Sequence, residues 1–338
     1  MENEKPWAKL CSDLQLGEPT GVPEAVSGGL LHRLVALDTT RGKYAVKRLN
    51  PGIMARPEAK GNFVRSERVA CLAFHAVPAL PALLKKGTAL QEIGGHFYLV
   101  YQWVDGRALK PDQLTEAHAE KMGTILARLH ETDFTELDLP PEAPPGVLSF
   151  PWETYLKKGI EAKAEWAKPL LTVIGCLYDW QDQANGAANR LDGERVISHR
   201  DLDPKNVLWQ GNQPTVIDWE SAGWIHPLCD LAETAVYWSQ DGARYTNDAR
   251  FRAFLKGYGA IKTGGEADWR TVLEDGFAGP LAWLDYNLKR SLRMEGSDEE
   301  EQQLGTRQAV QTLDTLQRYA NSLPRLESLL HGGVDRNG

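Results

Sequence analysis

One short stretch constrains this chain more than any other. Residues 197–209 read ISHRDLDPKNVLW and contain His199, Asp201 and Asn206 in the spacing H-x-D-x-x-x-x-N. An apolar entry, a proline turn and a second apolar run predict a loop that leads into a β-strand. A Gly-Asn turn and a second short strand then lead to Asp218. The two strands predict a hairpin that holds Asp201, Asn206 and Asp218 close together.

These side chains suit phosphoryl transfer. That reaction needs a carboxylate to orient the attacking hydroxyl group and oxygen ligands for magnesium on the phosphates. We predict that Asp201 is the base and that Asn206 and Asp218 are the ligands of Mg²⁺. Asp and Asn also cap turns in hairpins that have no catalytic function. That alternative is the better one for any single residue, whereas the spacing of the whole set favours chemistry.

Composition and charge narrow the class of protein. A chain of 338 residues is long for a single core, so two lobes are expected. The net charge of −8 argues against a nucleic-acid partner and is compatible with a cationic small molecule. The four cysteines are far apart and lack metal-binding spacing, which is typical of thiols in a reducing cytoplasm. No apolar stretch resembles a signal peptide or a membrane span, so we expect a cytoplasmic protein without a membrane partner.

The order of the elements predicts an α+β chain with two lobes. Residues 19–104 contain mostly strands and one helix, whereas the chain after a short hinge is mainly helical. We therefore expect a small antiparallel β-rich nucleotide-binding lobe over residues 1–104. A larger helical lobe over residues 105–338 would carry the catalytic loop and the acceptor site. Among its helices we predict one over 267–294 and a last one that is broken near Pro324.

The small lobe offers candidates for nucleotide binding. Lys47 ends the strand motif Tyr44-Ala-Val-Lys, where an inward lysine neutralises phosphates. Glu67, on the following helix, is the natural ion-pair partner of Lys47. The backbone N–H groups of Gly28 and Gly29 could approach phosphates. Each has an ordinary alternative, namely a solvated lysine, a surface glutamate beside arginines and a hairpin turn, but their order along the chain is specific.

Taken together, the motifs resemble those of the aminoglycoside phosphotransferase and choline kinase group of small-molecule kinases. The resemblance runs from Ser27 to about Arg290. It is carried by SGGL at 27–30, YAVK at 44–47, YLVYQWVDG at 98–106, VIDWESAG at 216–223, HPLCDLA at 226–232 and LAWLDYNL at 281–288. This group shares the protein-kinase-like fold, so the resemblance implies a bilobal chain of that fold.

The resemblance also implies roles for single residues. Asp201 would contact the acceptor hydroxyl group, and Lys47 with Glu67 would form the pair that positions the phosphates of ATP or GTP. Asn206 and Asp218 would hold magnesium. The backbone of Gln102 and Val104 would face the edge of the nucleotide base.

The catalytic loop departs from this family at two positions. Arg200 and Asp203 stand where the family usually has glycine and histidine, which makes the loop similar to that of protein kinases. A lysine at position 203 would neutralise the transferred phosphate in a protein kinase, and Asp203 cannot do so. A protein kinase is nevertheless disfavoured, because Asp218-Trp-Glu replaces Asp-Phe-Gly and no Ala-Pro-Glu segment follows. A catalytically silent nucleotide-binding protein is disfavoured because the complete set of residues is present.

Acidic and aromatic residues suggest the class of acceptor. The acidic candidates for contacts with the acceptor are Asp203, Glu220, Glu233 and Asp285. The tryptophans near them in sequence are Trp219, Trp224, Trp238 and Trp283. Aromatic rings bind cations and stack on sugars, although tryptophan on helices lies more often in the core. We predict a hydroxylated, cationic acceptor, either an aminoglycoside-like antibiotic, as in antibiotic resistance, or an amino-alcohol metabolite.

Overall fold

The structure is a computed structural model that describes residues 5–26, 32–140, 146–191, 193–243, 245–262, 267–294 and 298–334. The chain divides into two compact units, each assembled from separate segments. The first unit contains Met1–Leu114, Ile125–Pro141 and Val196–Ile225, and the second contains Thr115–Thr124, Glu142–Arg195 and His226–Gly338. The predicted catalytic stretch is therefore in the same unit as the N-terminal strands.

An antiparallel sheet of five strands forms the N-terminal part of the first unit. The strands are β1 (Glu24–Val26), β2 (Arg33–Thr39), β3 (Gly42–Arg48), β4 (Gln91–Ile93) and β5 (His96–Gln102), in the order β1-β2-β3-β5-β4. Lys47 on β3 lies opposite Leu34 on one neighbouring strand and Leu99 on the other. Lys47 is therefore in the middle strand of the sheet, close to its end.

Helices cover both faces of this sheet. On one face, α1 (Lys5–Leu14) buries Leu10 and Cys11 against Val46 and Val100. We did not predict this helix, because its apolar face is short and the residues at its N-terminal side are charged. On the other face, Phe63 packs with Leu99 and belongs to α3 (Ala59–Ala73), which follows the single turn α2 (Pro51–Met54). Side chains alternate along a strand, so Lys47 points to the face that α3 covers.

Shorter strands carry the catalytic stretch. β6 (Arg107–Ala108), β8 (Val207–Gln210) and β9 (Gln213–Val216) form one antiparallel sheet, and β7 (Val196–Ser198) pairs with β10 (Gly223–Ile225). The predicted hairpin is thus present, and Gly211 adopts the positive φ of 58° at its turn. The Val216 N–H donates to the Pro78 carbonyl oxygen and the Leu80 N–H to the Val216 carbonyl oxygen, each at 2.8 Å. These bonds join the hairpin to the segment that precedes β4.

The C-terminal part of the chain is mainly helical. Its helices are α4 (Glu116–His130), α5 (Trp152–Glu161), α6 (Ala167–Arg190), α7 (Pro227–Ser239), α8 (Asp248–Gly259), α9 (Trp269–Asp275), α10 (Ala278–Ser291) and α11 (Glu299–Val334). The predicted α+β class, with an antiparallel N-terminal sheet and a helical C-terminal part, is confirmed. Within the described ranges, every helix is too short or too polar to serve as a membrane span.

Two helices differ from the sequence prediction. The segment predicted as one helix over 267–294 is divided, because the Tyr319 hydroxyl group donates to the Leu273 carbonyl oxygen at 2.7 Å and closes the end of α9. Only glycine fits at 276, where an added Cβ would lie 2.2 Å from that hydroxyl oxygen. The break expected at Pro324 is wrong, since α11 continues through it. Proline removes one helical hydrogen bond, but the leucines on either side, at 323 and 326, are buried and hold the helix in place.

Candidate active site

A buried histidine connects the loop that contains Asp201 to the end of the strand that precedes Asp218. The His199 Nε2 lies 3.0 Å from the Ile217 carbonyl oxygen, and the Asp201 N–H donates to Nδ1 at 3.3 Å. An Nδ1 that accepts requires the proton on Nε2, so the ring donates to Ile217. The ring also meets Trp219 edge to face at 4.7 Å. His199 therefore fixes the backbone on both sides of the site.

Asp201 is held by two neighbours from its own loop. The Asn206 Nδ2 donates to the Asp201 carbonyl oxygen at 2.8 Å and to its Oδ2 at 2.9 Å. The Lys205 Nζ lies 3.3 Å from Oδ1. Burial raises the pKa of Asp201 and the positive charge of Lys205 lowers it, and the net result is a pKa above the ordinary value. The carboxyl group is thus a stronger base than a free aspartate, and its orientation is fixed.

Asp203 shapes the same loop. Its Oδ1 accepts a hydrogen bond from the Lys205 N–H at 2.8 Å and so caps the short 3₁₀ helix Pro204–Asn206. This is the usual role of an aspartate before a proline turn. The bond uses one carboxylate oxygen. The contact with the acceptor that we expect for Asp203 stays a prediction.

The hairpin register brings Asp218 next to Asn206. Val207 pairs with Val216, and one step further the Ile217 N–H donates to the Asn206 carbonyl oxygen at 2.9 Å. Asp218 follows directly and has a φ of 64°, and Arg200 at the other side of the loop has a φ of 62°. A left-handed conformation costs a non-glycine residue roughly 1–2 kcal/mol. Backbone strain of this kind clusters at functional sites.

The oxygen atoms of Asn206 and Asp218 fit a magnesium ion. Both side-chain bonds of Asn206 use Nδ2, and the ion pair of Asp218 uses Oδ1. The Asn206 Oδ1 and the Asp218 Oδ2 are therefore available as the hard oxygen ligands that Mg²⁺ prefers. No group of three or more His, Cys, Asp or Glu residues is arranged as a metal site in the described part of the chain. The two side chains suit an ion whose other ligands are phosphate oxygens and water.

Lys47 contacts the Asp218 segment rather than α3. Its Nζ donates to the Asp218 Oδ1 at 2.7 Å and to the Glu220 Oε2 at 2.6 Å. Burial lowers the pKa of Lys47, but the two carboxylates more than offset this, so the pKa lies above its ordinary value. The direct ion pair that we expected between Lys47 and Glu67 is not formed in the described structure. We expected Glu67 as the ion-pair partner of this lysine, and the structure shows Asp218 and Glu220 in contact with it instead.

Glu67 has other partners. Its Oε2 accepts from the Ala82 N–H at 2.8 Å and its Oε1 from the Tyr101 hydroxyl group at 2.7 Å. Burial raises the pKa of Glu67, and these two hydrogen bonds only partly counter the effect. The residue connects α3 to β5 and to the chain before β4. The positive charge of Lys47 also lowers the pKa of Glu67, although burial outweighs it. The predicted role of Glu67 in nucleotide binding stays a prediction.

Glu220 is held from two sides. Besides the Lys47 ammonium group, its Oε2 lies 3.2 Å from the His32 Nε2. Burial raises the pKa of Glu220, but the His32 hydrogen bond and the charge of Lys47 outweigh burial and lower it to about 2. We expected Glu220 to contact the acceptor. In this structure its carboxylate instead binds the lysine assigned to the nucleotide phosphates.

The other predicted nucleotide contacts lie partly within the described residues. The Trp103 N–H donates to the Lys43 carbonyl oxygen at 3.2 Å, so the backbone polar groups of Gln102 face the opposite edge of β5. That is the edge a purine could use. Val104 lies beyond the end of the strand, and its role stays a prediction. The glycines at 28 and 29 lie outside the described residues.

The predicted acceptor residues of the second unit have partners of their own. Asp285 is buried on α10, where the Tyr155 hydroxyl group donates to Oδ1 at 2.6 Å and the Lys289 ammonium group lies 2.8 Å from Oδ2. Glu233 accepts from the Tyr237 hydroxyl group at 2.7 Å. Their contacts with an acceptor stay predictions. Of the four tryptophans, Trp219 and Trp238 lie in the core, as the alternative interpretation held.

Sequence reasoning missed one residue of this constellation. His32 is buried, and its Nδ1 accepts from the Asn50 N–H at 3.0 Å while Nε2 faces Glu220. Its position just after a glycine turn was the only signal in the sequence. A lone histidine at the start of a strand does not predict a partner 188 positions later in the chain.

Comparisons with known proteins place the chain in a family. A model of the phosphotransferase enzyme family matches residues 23–271. A comparison with curated protein sequences finds no significant match.

Solved structures show the fold. The spectinomycin phosphotransferase APH(9)-Ia, in complex with ADP and spectinomycin, is 11% identical, with a TM-score of 0.67 over 93% of this chain and 98% of its own. The amicoumacin kinase hAmiN, in complex with AMP-PNP, Ca²⁺ and Ami, is 15% identical, with a TM-score of 0.62 over 93% of this chain and 94% of its own. A choline/ethanolamine kinase family protein from Mesorhizobium loti is 14% identical, with a TM-score of 0.59 over 98% and 100%.

At such identities the likeness shows the fold alone, and it confirms the expected kinase-like fold. The family match carries the assignment, because it spans well over half of the sequence. The chain belongs to the phosphotransferase enzyme family.

Proposed function

We propose that this chain is a small-molecule kinase that transfers the γ-phosphoryl group of ATP or GTP to a hydroxyl group of a small, cationic acceptor. The observation that carries the proposal is the setting of Asp201. Its carboxyl group is oriented by the Asn206 amide at 2.9 Å, has a raised pKa and is joined through His199 and the hairpin to Asp218. The carboxylate proposed as the base and the carboxylate proposed to hold magnesium thus lie in one compact unit.

The proposed reaction is an in-line displacement. The acceptor oxygen forms a bond to the γ-phosphorus, the bond from that phosphorus to the β–γ bridging oxygen breaks, and the nucleoside diphosphate leaves. Asp201 accepts the proton of the hydroxyl group. A positioned base of this kind contributes roughly 10²- to 10⁴-fold to the rate.

Four further side chains would act on the phosphates, either directly or through magnesium. The buried ammonium group of Lys47 would contact phosphate oxygens, since its raised pKa keeps it protonated. Asn206 and Asp218 would hold the magnesium ion that neutralises phosphate charge. Lys205, beside Asp201, supplies a second cation near the base. It stands two positions after Asp203, the position at which a protein kinase would have a lysine.

The class of acceptor rests on charge. The net charge of −8 favours a cationic ligand, and Asp203 uses only Oδ1 to cap its turn. We propose a hydroxylated amine, either an aminoglycoside-like antibiotic or an amino-alcohol metabolite. Related structures contain spectinomycin and amicoumacin, which supports a hydroxylated small molecule.

A panel of acceptors tests the proposal. Purified enzyme is incubated with magnesium, with ATP or GTP, and with aminoglycosides, amino alcohols, uncharged polyols or peptides, and release of nucleoside diphosphate is measured. We expect acceptor-dependent release with at least one hydroxylated amine. Activity only on peptides would support a protein kinase, and nucleotide binding without any transfer would support a silent nucleotide-binding protein.

Two substitutions in the loop assign the roles. Asp201→Asn should lower kcat by roughly 10²- to 10⁴-fold while the affinity for nucleotide hardly changes. Asp203→Asn retains an oxygen that can cap the turn but removes the charge, so it should raise the KM of a cationic acceptor and leave kcat near that of the wild type. An unaltered kcat in Asp201→Asn would exclude Asp201 as the base.

A further inference from the structure

The carboxylates that contact Lys47 are not the one that the family resemblance implies. Glu67 lies on α3, and both of its oxygens accept hydrogen bonds from other groups, the Ala82 N–H and the Tyr101 hydroxyl group. Both donors are buried with it, so this arrangement is stable in a low-dielectric setting. Movement of the carboxylate towards Lys47 would strain hydrogen bonds to two buried donors, and the loss of such a bond is costly.

Glu220, instead of Glu67, contacts Lys47. Its Oε2 lies 2.6 Å from the Lys47 Nζ, which is the shorter of the two contacts that this lysine makes. The other contact, to Asp218, involves the residue assigned to magnesium. In the proposed function Asp218 also holds magnesium, whereas Glu220 remains paired with the lysine.

His32 fixes the position of Glu220. The Nδ1 of the ring accepts from the Asn50 N–H at 3.0 Å, so the ring nitrogen that carries the proton is Nε2, which lies 3.2 Å from the Glu220 Oε2. The ring is buried and meets Phe63 edge to face at 5.6 Å. Asn50, which follows β3, and Phe63 on α3 therefore determine the direction in which the Nε2 donor points.

We propose that His32 and Glu220 together position Lys47 for the phosphates of the nucleotide, and that Glu67 serves the packing of α3 instead. His32 is a positioning residue, since it acts on the lysine through the glutamate. The inference rests on the proposed function only in that the ligand of Lys47 is a nucleoside triphosphate.

Direct binding of nucleotide tests this without an acceptor. Titration of the wild type and variants with magnesium and ATP, and in parallel with GTP, is followed by calorimetry. His32→Phe keeps a ring packed against Phe63 but removes the donor, so we expect the Kd to rise by about tenfold. His32→Gln, whose Nε2 can donate from a similar position, should recover most of the loss. His75→Phe, the same change at an exposed histidine of the first unit, is the matched control.

The two carboxylates are compared in the same assay. Glu220→Gln should weaken nucleotide binding more than Glu67→Gln does, and the melting temperatures measured without nucleotide separate loss of folding from loss of positioning. Equal affinity of His32→Phe and the wild type, or a larger loss in Glu67→Gln than in Glu220→Gln, would overturn the inference and leave the proposed function intact. A wild type that binds neither ATP nor GTP would remove both.

Discussion

Replacement of Lys47 by methionine tests the electrostatics of the site in the protein without ligand. The ammonium group makes contacts of 2.7 and 2.6 Å with Asp218 and Glu220, and its side chain is only 12% exposed. Removal of one partner from a buried ion pair costs about 3–5 kcal/mol, because the remaining charges lose their compensation. Here the carboxylates are 35% and 26% exposed, so water compensates in part. We expect a loss of about 2–4 kcal/mol in the free energy of unfolding.

The measurements are urea unfolding and thermal unfolding, each followed by tryptophan fluorescence, without nucleotide or divalent metal. The entropy of unfolding of a chain of this length is roughly 0.7 kcal/mol per degree, so the melting temperature should fall by about 3–6 °C. Lys43→Met is the matched control on the same face of β3. Its ammonium group lies 4.5 Å from the centre of the Trp103 ring, an interaction worth about 0.5–1 kcal/mol at an exposed site.

A double-mutant cycle with Asp218→Asn isolates the interaction. In the Asp218→Asn background one of the two uncompensated carboxylates is absent, so Lys47→Met should cost less than in the wild type. If Lys47→Met unfolds within about 0.5 kcal/mol of the wild type, or if its cost is the same in both backgrounds, the ion pairs do not stabilise the unliganded site and our reasoning is refuted.

Three further outcomes are expected. Gly257→Ala should destabilise the folded chain by about 1–3 kcal/mol, because the added Cβ would lie 1.9 Å from the Glu120 carbonyl oxygen. Gly175→Ala has open space around the added Cβ and should stabilise the folded chain by about 0.5–1 kcal/mol. Melting temperatures of the two variants equal to that of the wild type would contradict both expectations. Burial raises the pKa of Glu67 above its ordinary 4.5, so the folded state binds the proton more tightly and the wild type should lose stability relative to Glu67→Gln as the pH rises from 4.5 through the raised pKa. The pKa of Glu220 is lowered to about 2, so its stabilising contribution should be complete above pH 4.5 and disappear as the pH falls towards 2. Urea midpoints from pH 2 to 8 measure both, and curves parallel to those of the Gln variants would contradict them.

The loop that contains His199 and Asp201 shows how far local pattern determines structure. The order of apolar runs, proline and glycine between His199 and Asp218 predicted the hairpin, and its register brings Asn206 next to Asp218. The backbone preferences of turn residues act over only a few positions, so the local sequence is enough to predict a hairpin. The same holds for the strands around Lys47 and for the change to a helical chain after residue 104.

The ends of the helices depend on tertiary contacts that cannot be read from the sequence. Tyr319 ends α9 from a position 46 residues later in the chain, and buried leucines carry α11 past Pro324. In both cases a tertiary contact overrides the local preference of the backbone. The helix α1 was missed for a related reason, since its apolar face is short and is recognisable only against the sheet that it covers.

By itself, the sequence determined the kinase-like fold, the hairpin and the identity of Asp201, Asn206 and Asp218 as candidates, because fixed spacing along one stretch brings those residues together. It identified Lys47 and the need for an acidic partner. Only the tertiary structure decided which acid that is. Glu67, on the next helix, is bound by Ala82 and Tyr101, and Glu220, 173 residues away in sequence and held by His32, contacts the lysine instead. Pairing across such a separation depends on which buried donors each carboxylate satisfies, and that competition is settled only once the chain has folded.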